Sequence, residues 1–205
     1  MFNKVLFTAV ALSAGLSIST ALPGAAGQQR QEGQKAQPAQ QGQRAQQGQQ
    51  GQQGQPSLAK ADREFIEKAS QGGLLEVRLG QLAQQHASTP EVKGFGQRMI
   101  DDHTTINKRL TELAERKGML VPKELDKKHQ EEVDKLAKKT GSEFDRDYMN
   151  MMVDDHKDDV EQFEKASKDA KDADLKSFAA ATLPTLREHL TQARQIQAKV
   201  KGKGK

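Results

Sequence analysis

Gln84-Gln85-His86-Ala87-Ser88-Thr89-Pro90-Glu91-Val92 is a helix stop and a helix restart within nine positions. Ser88 or Thr89 can accept a bond from a free N–H of the first turn. Pro90 suits the first helical position, where its missing N–H costs nothing. Glu91 places negative charge at the positive end of the new helix. Upstream, from Leu58 to His86, Phe65, Ala69, Gly72, Leu75, Leu79, Leu82 and Ala83 share one helical face. Downstream, to about Lys117, Val92, Phe95, Met99, Ile106, Leu110 and Leu113 do the same, and Gly118 and Pro122 close the segment. Two long amphipathic helices joined by so short a link must run antiparallel.

The remainder repeats this design after a longer connection. Lys123 to Lys139 is a charged helix with a thin apolar seam of Leu125, Val133 and Leu136, a surface crossover. Thr140-Gly141-Ser142 breaks it, and Ser142 is placed to cap a third core helix running to about Asp169. Phe144, Tyr148, Met151, Met152, Phe163 and Ala166 form its inner stripe. A fourth core helix runs from about Asp172 to Val200, with Leu175, Phe178, Leu183, Leu186, Leu190, Ala193 and Ile196 inward. Pro184 lies inside it and is expected to kink it. Few β-branched residues and no alternating runs argue against strands. The expected fold is all-α: a ferritin-like four-helix bundle with a short crossover helix between helices 2 and 3, which lets those two helices run in the same direction.

The ends of the 205-residue chain have other characters. Residues 1–27 read as a secretory signal peptide, with Lys4, an apolar run from Val5 to Ile18, and small residues at Gly24-Ala25-Ala26-Gly27. That run is short of the ~20 residues a membrane span needs. Residues 28–57 contain 15 Gln and 5 Gly with no apolar periodicity, a composition that cannot offset the entropy of ordering. Residues 58–200 form the bundle domain, and 201–205 a basic tail. The reading is thus of an exported protein, periplasmic or associated with the outer membrane. The formal charge of +4 misleads, because residues 58–198 carry 24 Lys+Arg against 27 Asp+Glu. Basic residues concentrate in the tails, so nucleic-acid binding is not expected. Lys199, Lys201, Lys203 and Lys205 suit weak contact with an anionic envelope surface. The chain has no Cys, which excludes disulfides, thiolate catalysis and iron–sulfur clusters.

One internal echo carries chemistry. Met99-Ile100-Asp101-Asp102-His103 returns as Met152-Val153-Asp154-Asp155-His156. At roughly 100° per residue, Asp101 and Asp154 point away from their stripes, whereas Asp102, His103, Asp155 and His156 lie toward them. Asp159 falls near the centre of the third helix, Glu76 borders the first, and His189 faces inward from the fourth. Glu76, Asp102, His103, Asp155, His156, Asp159 and His189 are therefore the candidate metal residues, with His103, His156, His189 and Glu76 as the preferred subset. Carboxylates and imidazoles inside bundles hold iron, manganese or zinc. The competing reading is a buried hydrogen-bond network that fixes helix register. His86 suits the C-terminal end of its helix, and His129 is expected in solvent. The methionines at positions 99, 149, 151 and 152 suit core filling better than soft-metal binding. Tyr148 is expected to pack with its hydroxyl bonded, and Gly72-Gly73 to permit close helix approach. No Ser–His–Asp order, phosphate-binding glycine loop or HExxH motif occurs.

These residues resemble a bacterial exported family, domain of unknown function 4142, described as ferritin-like and associated with the outer membrane. The resemblance runs from about Asp62 to Gln197. Its carriers are Phe65-Ile66-x-x-Ala69 with Gly73 and Glu76, Phe95-x-x-x-Met99-Ile100-x-Asp102-His103, Phe144-Asp145-x-x-Tyr148, Asp155-His156 and Leu183-Pro184-x-x-x-x-His189-Leu190. The resemblance implies a helical bundle in the cell envelope and no established reaction. The sequence departs from the di-iron pattern of Glu-x-x-His on two helices: Asp and His stand side by side, and Leu186 precedes His189 by three residues. The expectation is a non-enzymatic structural or stress-related envelope module, with a metal-binding bundle as the alternative.

Overall fold

The structure, a computed structural model, describes residues 58–202. The expected signal peptide, the Gln-rich segment, and Lys203 and Lys205 of the basic tail lie outside the described residues. Five helices follow in order: α1 Lys60–His86, α2 Pro90–Arg116, α3 Lys127–Leu136, α4 Gly141–Asp169 and α5 Ala173–Gly202. No strand occurs among the described residues, only one isolated bridge between Ala87 and Gly141.

The helix boundaries follow from local chemistry. Thr89 caps α2 by accepting a bond from the Val92 N–H, and Pro90 opens the helix. Gly118, at φ 73°, takes the left-handed turn that ends α2. The expected cap at Ser142 is not used: α4 begins at Gly141 after Thr140, with no side-chain cap bond. Asp172 caps α5, accepting from the N–H groups of Asp174 and Leu175. Pro184 does not interrupt α5, which is continuous from Ala173 to Gly202. Pro184 and Ala180 both lie on the exposed face, so the carbonyl that loses its proline donor looks toward solvent. Met149 and Val153, rather than Met151, complete the buried stripe of α4.

Two buried aspartates fix the topology. Asp62, near the start of α1, accepts bonds from the N–H groups of Lys171 and Asp172, in the α4–α5 link. Asp145, near the start of α4, accepts from Ser88 N–H, Ser88 Oγ and Thr89 N–H, in the α1–α2 link. Each therefore lies at the end of the bundle where the partner hairpin turns, and α1 runs antiparallel to α4. Since α1 is also antiparallel to α2, helices α2 and α4 are parallel, as the ferritin-like connection requires. The spacing from Asp62 to Asp145 is repeated from Thr89 to Asp172, from Val92 to Leu175 and from Phe95 to Phe178. The bundle is two equivalent hairpins joined by the α3 crossover.

The apolar residues fall into two clusters. One gathers Leu79, Phe95, Met99, Tyr148, Met152 and Ile196, with Val133 and Leu136 of α3 against it. The other gathers Ile66, Leu110, Phe163, Leu175, Phe178 and Leu186. Between them the middle turns of the four core helices contribute Glu76, His103, His156 and His189, all buried.

Candidate metal centre

A polar layer inside an apolar bundle is costly unless its groups are matched with each other, with protons or with a cation. Each of the four long helices supplies one member at mid-length: Glu76 from α1, His103 from α2, His156 from α4 and His189 from α5. Glu76 is 1% exposed, His103 2%, and His156 and His189 0%. One nitrogen from each of the three imidazoles lies within 4.8 Å of the others.

The second nitrogen of two rings is committed elsewhere. His156 Nδ1 lies 2.9 Å from the Met152 carbonyl oxygen, which can only accept, so this nitrogen carries the proton. His189 Nε2 lies 2.7 Å from Asp102 Oδ2. Burial alone would raise the Asp102 carboxyl, but bonds from His189 and Arg98 outweigh it and hold the group ionised, below its usual range. His189 therefore donates from Nε2. Burial holds His103 and His189 neutral by lowering both to about 4, and pushes His156 well below its usual value.

The inner nitrogens are consequently bare. His156 Nε2 and His189 Nδ1 face each other at 3.3 Å, and neither has a proton to give. Glu76 Oε1 lies 3.3 Å from the same His156 Nε2. Glu76 Oε2 approaches His103 Nδ1 at 2.6 Å without a hydrogen bond forming, no N–H among the described residues donates to either Glu76 oxygen, and the Asp159 carboxyl is its hydrogen-bonding neighbour. His103 Nε2 is buried without a partner. A satisfied structural network would not leave these atoms orphaned. His156 Nε2, with a lone-pair atom 3.3 Å away on each of two neighbours, needs a cation, or a proton on Glu76. Burial, followed by repulsion from Asp155, raises the Glu76 carboxyl well above its ordinary value.

The other candidates lie around this centre. Asp102 does not point fully inward: its side chain is 36% exposed, and it joins His189 to Arg98, whose Nε lies 3.1 Å away. Asp155 and Asp159 are half-buried on α4. Burial first, then neighbouring carboxylates led by Asp159, raises Asp155 to about 7. Burial and Glu76 raise Asp159 well above the usual range. Arg98 escaped the reading of the sequence, although its position one turn before Asp102 is the signal for an i,i+4 ion pair.

Two further expectations are corrected, for Tyr148 and His129, and one is extended, for His86. Tyr148 is fully buried, but its hydroxyl has no partner among the described residues, and burial followed by Glu76 raises its pKa well above the usual phenol value. His86 does more than sit at a helix end: Nδ1 meets the Lys139 carbonyl oxygen at 2.7 Å, tying α1 to the turn before α4. His129 is not free in solvent; it is 20% exposed and lies 2.9 Å from Asp126 Oδ1.

Fold and centre together define a ferritin-like four-helix bundle with a buried three-histidine layer. The chain belongs to the family described as Domain of unknown function (DUF4142), whose sequence profile matches residues 47–196. Solved structures share the fold at low identity. A DUF305 fragment from Deinococcus radiodurans superposes with TM-score 0.62 at 13% identity, covering 70% of this chain and 99% of that one. CopM in its Cu(II)-bound form gives 0.54 at 17% identity, covering 67% and 96%. CopM in its Cu(I)-bound form gives 0.55 at 18%, covering 65% and 93%. No curated protein matches the chain by sequence.

Proposed function

We propose that the protein binds a transition-metal ion through His103, His156 and His189, with Glu76 as the fourth ligand. The observation that carries this reading is the 3.3 Å approach of two imidazole nitrogens whose partner nitrogens are already committed as donors. Nitrogens at about 2.0–2.1 Å around one tetrahedral ion lie roughly 3.3 Å apart. His156 and His189 already have that spacing, and a nitrogen of His103 lies within 4.8 Å of both. Metal-bound histidines characteristically donate their outer N–H to a carboxylate or carbonyl, as Asp102 and the Met152 carbonyl allow here.

Neutral imidazoles favour copper or zinc over manganese, which prefers oxygen ligands. CopM, a neighbour in fold whose solved structures hold copper, supports the same choice. Iron remains compatible with imidazole ligation, but the Glu-x-x-His pairs of di-iron bundles are absent from this sequence. We place the protein in the cell envelope as an exported metal-handling module, on the strength of its signal-like start and Gln-rich segment. The deciding experiment is elemental analysis after gentle purification, paired with reconstitution. One equivalent of copper or zinc, lost in His103→Ala/His156→Ala, is expected. A metal-free wild type that fails to take up either ion would remove the proposal and restore the structural-network reading.

A further inference from the structure

Taking that metal reading as its basis, we infer that the seam between α1 and α4 carries an outer cation-binding station. Asp155 and Asp159, with Glu76 behind them, take a divalent transition ion from solvent and pass it to the three imidazoles.

The α4 acidic residues form a graded series. Asp154 and Asp158 are exposed, Asp155 and Asp159 are half-buried, and Glu76 beyond them is 1% exposed. Lys157 pairs with Asp154, whereas Asp155, Asp158 and Asp159 have no cationic partner among the described residues. Asp155 Oδ2 is buried without a hydrogen-bond partner. Glu132 of α3 adds its negative field to Asp155. Gly72 of α1 leaves room here: a Cβ at this position would stand 3.6 Å from Asp159 Oδ1.

Glu76 supplies the independent observation. It is a fully enclosed carboxyl group that no N–H donor reaches, paired with the Asp159 carboxyl on one side and against the imidazoles on the other. It therefore touches both stations. The opposite approach, past Asp102, is covered by a cation. Arg98 donates to Asp102, to Glu188 at 2.9 Å and to Gln192 at 2.9 Å, so the carboxylates on that side are already engaged by a guanidinium rather than open to a metal ion. The exposed Asp158 and the half-buried Asp155 carry no paired cation, and a surface of one sign of charge accelerates capture of the opposite sign about 10- to 1,000-fold.

The test uses the full chain and Co(II), whose visible absorption on histidine ligation reports arrival at the inner site in a stopped-flow mixer. Asp155→Asn/Asp159→Asn should slow Co(II) association by about tenfold or more. It should slow dissociation as well, leaving the equilibrium affinity within a few-fold of wild type. Gly72→Leu, which fills the seam without changing charge, should slow uptake too and covers the case in which the double variant misfolds. Glu112→Gln/Glu115→Gln, the same charge change on the exposed face of α2, should leave the rate unaltered. The outer station is overturned if the seam variants take up Co(II) at the wild-type rate, or lose affinity with an unchanged association rate. A wild type that develops no Co(II) spectrum overturns the metal reading itself.

Discussion

Asp102 shows how one half-exposed residue governs a buried one. It accepts the His189 Nε2 proton and thereby fixes which nitrogen His189 turns inward. Asp102→Ala should weaken metal binding about 10- to 100-fold, the usual effect of losing an outer-shell carboxylate. Competition against a chelator of known affinity measures this. Glu76 makes a different prediction. Burial raises its carboxyl well above the ordinary value in the metal-free protein, and only the ionised form ligates, so metal loading should release protons. Calorimetry in two buffers of different ionisation enthalpy should then give different apparent heats, and equal heats would contradict this. The metal-free protein also acquires a defined pH dependence. The imidazoles, lowered to about 4 at His103 and His189, oppose folding as pH falls below their unfolded value of ~6.5. The raised carboxyls act in the opposite sense: Asp155, at about 7, contributes stability at low pH that is lost as pH rises. Above pH ~6.5 the imidazole contribution is exhausted and only the carboxyl loss remains. Thermal melts of the metal-free protein should therefore fall between pH 6.5 and 8, and bound metal should flatten that slope. Helical angles alone placed the four central residues in the sequence. They could not show which nitrogen of each ring is engaged, because that depends on Arg98, a backbone carbonyl and the packing of a neighbouring helix.

At the level of the helices, close approach is set by glycine. A Cβ on Gly80 would lie 2.6 Å from the Gly96 carbonyl oxygen, and a Cβ on Gly96 would lie 2.6 Å from Ala83 Cβ. Either alanine substitution must push α1 and α2 apart, at a cost of about 1–3 kcal/mol typical of overpacking. Denaturant midpoints of Gly80→Ala and Gly96→Ala, read at unchanged m-value, test this. The stripes, the short links and the crossover were all legible, because apolar periodicity records which face is buried. The long-range caps were not. Asp62 stands in the first turn of its own helix, where an acid suits the dipole, yet it serves the link between α4 and α5. Such a partnership depends on which hairpin ends meet in space. The echo of Asp-Asp-His on α2 and α4 was legible too, but these are not equivalent helices of the two hairpins. The real repeat pairs α1 with α4 and α2 with α5, through positions such as Asp62 and Asp145.

For the molecule as a whole, the described bundle contains its own core, and trimming the chain before about Leu58 should leave its melting temperature unchanged. Limited proteolysis followed by a thermal scan checks this, and collapse of the trimmed product would contradict it. A metal that binds only the folded state should raise stability by about 2.7 kcal/mol at a free concentration of 100 times its Kd. The division of the apolar interior into two clusters has a mechanical consequence. Each end of the bundle can loosen as a unit of its own, because the layer that separates them transmits little apolar cohesion. An ion gripped simultaneously by α1, α2, α4 and α5 would then act as a rivet through the waist. Without it, amide exchange should divide into two populations, one for each end; with it, the two halves should open only together.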